Sequence, residues 1–416
     1  MIMTERATEC LARLGLDNGI DHPVGSSDNN NHPEQLNIPQ GVHPRSPIGK
    51  VNGMGGATPR RTGSLRERTG VDHKLDNLPG LPGRPLPHTI VAGSDVKRSR
   101  PVPIDRFVEH VKIMSADSDF RFAEEYELFR NVGLGASTNA AELALNRAKN
   151  RFTNILPFDH SRVKLRARDD DENGEDYINA NYIPGVFSRR EFIAAQGPLP
   201  STRDDFWRMI MEQQVPVIVA LTKCIEKGRD KCHQYWPDKE RMSLLYGDIE
   251  VTLLSETETH DMVIRELRLT PLSAPQTART ITHMHYMAWP DFGVPESPQG
   301  IVKLVRLFRQ KLPRNPNNKP VVVHCSAGVG RSGTFMGIDR LMYMASMGRP
   351  LDVFGTVHEM RQERCSMVQN ESQYIFIHHA LLYCLLESPE GHETPPPSGL
   401  PNDAYDDDEG IAESGL

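Results

Sequence analysis

Residues 1–100 contain no Phe, Tyr or Trp, yet they hold 10 Pro and 13 Gly. A stretch without aromatics and rich in turn formers cannot bury enough apolar surface to offset the entropy of ordering. It reads as a disordered Pro/Gly-rich arm. Long apolar runs are also missing. The longest, over 215–221, falls far short of the roughly 20 residues that cross a bilayer, so no membrane span is expected in this chain. The opening MIMTERATEC lacks the apolar stretch of a signal peptide. Six Cys in 416 residues are too few and too scattered for a disulfide framework. A reducing, cytoplasmic setting is expected. Excess positive charge is absent too: 48 Lys+Arg stand against 55 Asp+Glu, a formal net charge of −7. No nucleic-acid footprint is present. Residues 388–416 are Pro-rich, then acidic, with 8 Asp+Glu and no Lys or Arg. They read as a disordered acidic tail.

What remains, 101–387, has the texture of one folded domain. Segments 104–114 and 120–129 have apolar residues three and four apart, as amphipathic helices do. The same spacing recurs at 202–213, at 372–387 and at 300–312, where Ile301, Leu304, Val305, Phe308 and Leu312 share a face. Segment 216–222 is a short β-rich run, and 248–254 and 262–269 alternate as half-buried strands do. Strands in the middle and helices at both ends argue one α/β or α+β domain, and the expectation adopted is a single α/β domain, a twisted mixed sheet flanked by helices.

The informative segment is PVVVHCSAGVGRSGTFMGIDRLM, 320–342. Val321 to Val323 form a β-branched strand, and a helical pattern runs from Ser332. Between them Ser326, Ala327, Gly328, Val329 and Gly330 make a tight loop of small residues. Strand, loop and helix N-terminus together point backbone N–H groups into one concavity, a nest for a tetrahedral dianion. Cys325 sits at its mouth, where that field favours the nucleophilic thiolate. Arg331 closes the loop with a planar fork able to hold two oxygens of one anion. Ser332 offers a hydroxyl to the thiolate, and His324 is expected to orient the loop. Taken alone, C-x5-R is a weak signal, and a Cys at a strand end is usually an inert small hydrophobe. The surrounding HCSAGVGRSGTF is what makes it specific.

A second segment, YMAWPDFGVPESP (286–298), sets Asp291 in a turn bounded by Pro290, Gly293 and Pro295. Rigid ends around a flexible turn suit a loop that closes over a site, and Asp291 is the candidate general acid. His283, His285, Cys224, Cys232 and His233 lie near one another in sequence, but their spacing matches no standard zinc site.

HCSAGVGRSGTF resembles the signature of the protein tyrosine phosphatases, and WPDFGVP resembles their acid loop. In matching order, 149–165 resembles their phosphotyrosine-recognition loop, and 176–183, 194–207, 226–237 and 367–379 resemble further family segments. The likeness covers about 104–387 and is closest to receptor-type members, fibronectin-type-III-bearing, with one catalytic domain. It implies that Cys325 is the nucleophile, Arg331 the phosphate clamp and Asp291 the acid. Gln369 and Gln373 would place the hydrolytic water. Glu226 would hold Arg331, Lys231 would lie near the acid loop, Phe152 would line the pocket entrance, and Asn154 would approach the substrate backbone. Departures from the family pattern are Phe152 for the usual Tyr, Asn370 for the usual Thr, and Met284 and Met287 ahead of the acid loop.

The resemblance therefore implies hydrolysis of phosphotyrosine on proteins through a cysteinyl-phosphate, with no metal or organic cofactor. Phosphotyrosine-containing proteins are the expected partners, and a link to a membrane receptor is open. A catalytically weak phosphotyrosine-binding module is the alternative of a different class. A broader phosphatase acting on phosphoserine or phosphoinositides is the alternative enzyme.

Overall fold

A computed structural model describes residues 98–166, 176–290, 293–313 and 319–387. The arm up to residue 97, the tail from 388, Asp291 and Phe292 lie outside the described residues. Among those described, the strands in chain order are β1 (Arg162–Lys164), β2 (Tyr177–Ile183), β3 (Phe192–Ala195), β4 (Val217–Ala220), β5 (Ile225–Glu226), β6 (Arg229–Asp230), β7 (Ser243–Tyr246), β8 (Ile249–Glu258), β9 (Met262–Pro271), β10 (Arg279–Tyr286) and β11 (Val321–His324). The helices are α1 (Ile104–Met114), α2 (Ala116–Glu127), the single turns α3 (Asn139–Glu142) and α4 (Ala144–Arg147), α5 (Arg203–Glu212), α6 (Gln299–Lys311), α7 (Gly330–Ser346), α8 (Val353–Glu363) and α9 (Glu371–Leu386).

Nine strands make one mixed sheet in the order β1-β2-β3-β11-β4-β10-β9-β8-β7, and β5-β6 is a separate hairpin. The centre is parallel, β3 with β11, β11 with β4 and β4 with β10. The flanks are antiparallel. The pleat sorts the central side chains between two cores. Val321, Val323, Val217, Val219, Phe192 and Ala194 enter one core, while Val322, Ile218, Ile193 and Ala195 enter the other. Strands buried on both faces read as unbroken apolar runs, which is why VVV and VIVA contain no polar residue.

The first core is roofed by α6, α7, α8 and α9, with Phe107, Phe122 and Phe129 from the lead-in. Ile301, Leu304, Val305 and Phe308 of α6 are all buried, and Leu312 packs against the same core just past the helix end. Burying each such side chain stabilises the fold by about 1.5–3 kcal/mol. The second core lies under α5, where Trp207 is buried and donates from Nε1 to Tyr235 O at 2.8 Å.

Regular helix in α2 begins at Phe120, where the sequence pattern starts it, because Asp117, Ser118 and Asp119 have φ of 54°, 58° and 66°. One boundary differs from the sequence expectation: the helix after the Cys loop starts at Gly330, two residues before Ser332. No helix among the described residues is long and apolar enough to cross a membrane.

Candidate active site

Five residues, 325–329, join β11 to α7 at the carboxyl end of β11, one of the parallel strands near the middle of the sheet. The chain turns at Gly328, which has φ +71° and whose added Cβ would stand 2.1 Å from Ala195 O. No side chain fits there. The loop's carbonyls are each claimed from outside. Ser326 O accepts from Gly197 N–H at 2.9 Å, and Val329 O accepts from the N–H groups of Gly333 and Val368 at 3.0 and 3.1 Å. Ala327 O and Gly328 O both accept from Arg364, each at 3.0 Å. Meanwhile the N–H groups of Ser326 to Val329 donate to no described residue. Those of Gly330 and Arg331 open a helix, where no intrahelical acceptor exists. Carbonyls held by neighbours and successive amides without a described acceptor are the arrangement that suits an anion.

Cys325, buried, stands at the start of this nest. The hydroxyls of Ser332 and Ser326 are buried as well and make no hydrogen bond to a described residue. His324 is fully enclosed. Burial pushes its pKa down to about 4, so it is neutral at pH 7. Its Nδ1 lies 3.2 Å from Cys325 O and donates to it. Its Nε2 therefore accepts the Tyr235 hydroxyl at 2.7 Å. The Tyr235 oxygen in turn accepts from His283 Nε2, 2.8 Å away. One tautomer sequence runs His283, Tyr235, His324, Cys325 carbonyl, and it fixes the backbone that carries the thiol.

Arg331 is held before any ligand arrives. Glu226 grips it with both oxygens, at 2.7 Å from Nη1 and 2.8 Å from Nη2. This is the bidentate fork-to-carboxylate geometry. Leu221 O and Pro290 O each accept a further bond at 3.0 Å. Glu226 comes from the β5-β6 hairpin, whose two turn residues Lys227 and Gly228 have φ of 46° and 73°, the type I′ signature. Lys231 follows β6, with Nζ 3.8 Å from Glu226 Oε2. The Pro290 contact ties the clamp to the residue before Asp291, which itself lies outside the described residues. Trp289 is buried against Phe376 and donates from Nε1 to Gly293 O at 3.3 Å, anchoring both ends of that segment.

The two glutamines converge on the loop. A Cβ added at Gly330 would lie 2.9 Å from Gln373 Nε2 and 3.1 Å from Gln369 Oε1. Gln373 Oε1 accepts from Gln369 N–H at 2.9 Å, which leaves its NH2 as the group free to face an anion. Asn370 proves to be the N-cap of α9, accepting from Gln373 N–H at 2.9 Å. Phe152 is 39% exposed, an aromatic left standing at the surface. Asn154 is exposed two residues on. Between them and the core, Arg151 fixes the segment by donating to Gly197 O and Pro198 O at 3.2 and 2.9 Å. Met284 is a core residue of β10, and Met287 is half-buried.

Sequence reasoning missed the support of the loop. Arg364 is fully buried, and besides the two loop carbonyls it donates to Asn181 Oδ1 at 2.6 Å and Asn179 Oδ1 at 2.7 Å. The signal for this was the Asn-x-Asn alternation in β2, which puts two amides on one face of a buried strand. The histidines weighed for zinc have other partners: His283 meets Tyr235, and His285 Nε2 lies 2.7 Å from Thr222 O.

The family profile described as Protein-tyrosine phosphatase matches residues 146–383, more than half of the chain. The chain belongs to the protein-tyrosine phosphatase family. Among curated proteins it is 45% identical over 287 residues to receptor-type tyrosine-protein phosphatase eta of Gallus gallus, covering 69% of this chain and 20% of that protein. It is 42% identical to receptor-type tyrosine-protein phosphatase H of Homo sapiens, over 69% of this chain and 26% of that protein. It is also 42% identical to the phosphatidylinositol phosphatase PTPRQ of Homo sapiens, over 69% of this chain and 12% of that protein. This phosphatase chain thus spans about a fifth of the length of the first of these relatives.

Proposed function

We propose that this chain is a protein tyrosine phosphatase that hydrolyses phosphotyrosine on proteins in two steps without a metal. One observation carries the reading. Cys325 opens a nest of unpaired amides, and that nest is closed by an Arg already held bidentate by Glu226. In the first step the Cys325 sulfur attacks phosphorus. The S–P bond forms, the P–O bond to the phenol breaks, and Asp291 gives its proton to the leaving oxygen. Arg331 and the loop amides hold the equatorial oxygens. In the second step Gln369 and Gln373 hold a water, Asp291 takes its proton, and P–S cleavage frees phosphate and the thiolate. Ser332 steadies that thiolate with its unpartnered hydroxyl. Phe152 stacks on the substrate ring and Asn154 meets its backbone. Lys231 and Glu226 form the wall beside Arg331. His324 orients the carbonyl of Cys325. The setting we assign is cytoplasmic, with the domain serving a receptor-type phosphatase in signal transduction by dephosphorylation.

The test is turnover of a phosphotyrosyl peptide by wild type and Cys325→Ser in EDTA, beside a phosphoseryl peptide and a phosphatidylinositol phosphate. The reading expects turnover of the first substrate by wild type only. Equal or faster turnover of the lipid would move the assignment to phosphatidylinositol phosphates, the substrate class for which the PTPRQ relative is named. Tight peptide binding with no turnover would leave a recognition module.

A further inference from the structure

Val368, the residue before Gln369, has φ +59°. A β-branched residue in the left-handed region is strained and persists only where its surroundings over-determine it. Here they do. Val368 N–H donates to Val329 O of the Cys loop at 3.1 Å. Val368 O accepts from the Tyr126 hydroxyl at 2.9 Å and from Arg361 Nη2 at 2.8 Å. The same Arg361 nitrogen donates to the Tyr126 oxygen at 2.7 Å, closing a three-membered ring of bonds. Arg361 also donates from Nε to Met367 O at 2.9 Å and from Nη1 to Phe129 O at 3.0 Å. Every one of these groups is buried or half-buried, so a lost bond is not replaced by water at no cost.

Tyr126 belongs to α2, outside the 146–383 that the family profile matches. Its ring packs edge-on against Phe129 and lies under the Arg361 guanidinium. Removing the hydroxyl alone would leave that packing in place.

We propose that Tyr126 is a positioning residue for the water-holding pair Gln369 and Gln373, acting through the strained peptide of Val368. The inference rests on the two-step reaction proposed above. Without the Tyr126 bond, Val368 relaxes toward an ordinary β-branched conformation, and the chain direction into Gln369 changes. Gln373 receives its own orientation from Gln369 N–H, so both amides move together. The first step does not use them. The lead-in helix therefore acts on dephosphorylation of the enzyme and not on its phosphorylation.

The experiment compares wild type, Tyr126→Phe and Asn370→Ala on a phosphotyrosyl peptide labelled at phosphorus. Steady-state rates are measured together with the fraction of enzyme trapped as acid-quenched cysteinyl-phosphate. Tyr126→Phe is expected to lower kcat about fivefold, the factor that one buried neutral hydrogen bond commands. KM falls with it, kcat/KM holds, and the trapped fraction rises. Asn370→Ala, which reaches the same amides through the α9 cap, gives the same pattern, and Asn370→Ser restores it. General destabilisation would instead lower kcat/KM by cutting active enzyme. Unchanged kcat and trapped fraction in Tyr126→Phe, with wild type active, would overturn the inference alone. An inactive wild type would overturn the two-step reading beneath it.

Discussion

Arg331 and Lys carry the same charge, and the difference between them is geometry. Arg331 meets Glu226 at two oxygens and Leu221 O and Pro290 O at one each. Lys offers a point charge that cannot reproduce this fork. Arg331→Lys is expected to lower kcat/KM by about 100-fold to 1,000-fold, the usual loss for one transition-state donor. Steady-state kinetics on a phosphotyrosyl peptide check it. Gly328→Ala tests the loop from the other side, since its Cβ would overlap Ala195 O at 2.1 Å. It should destabilise the domain by about 1–3 kcal/mol, read from urea midpoints. For Asp291, the reading expects an activity profile with an alkaline limb set by loss of the acid's proton. Asp291→Asn should remove that limb and lower kcat about 100-fold or more.

The elements were legible in proportion to how local their causes are. The unbroken VVV of β11 and the VIVA of β4 announce strands with two buried faces, and the structure puts alternate residues in opposite cores. The small-residue loop with its Gly was equally plain, because strand, turn and helix follow one another within a few positions. Arg364 was not legible. Its partners Asn179 and Asn181 lie 185 and 183 residues away, and nothing in RQERCSM says which Arg is buried. The cap on α9 was half legible: Asn370 stood out as a departure, but its bond to Gln373 required the helix start to be known. Arg364→Met should be severe for the element it supports. It leaves two loop carbonyls and two Asn amides buried without their donor, a loss of about 3–5 kcal/mol by analogy with a broken buried charge network. Thermal unfolding checks the stability, and phosphate binding by the folded fraction checks the nest.

At the scale of the whole molecule, several histidines have been taken out of water. Burial pushes His324 and His285 down to about 4 and His378 down to about 3. In the unfolded chain each returns to about 6.5. The unfolded state therefore binds more protons than the native state at every pH from about 6.5 down to 4. Stability is fully present above 6.5 and falls as pH drops, by on the order of 1.4 kcal/mol per unit for each histidine once the unfolded form is charged. Urea midpoints at pH 7.5 and pH 5 should differ accordingly, and a midpoint that rises on acidification would contradict the burial of these rings. An assay run at acid pH thus works against the stability of the domain it measures.

The central claim is that Cys325 carries the phosphoryl group between two half-reactions without a metal. The most direct measurement quenches the enzyme during turnover of a phosphotyrosyl peptide in EDTA and maps the modified residue by mass spectrometry. The account predicts one phosphoryl group on Cys325 and none in Cys325→Ser. Turnover abolished by EDTA, or full turnover in Cys325→Ser, would contradict it.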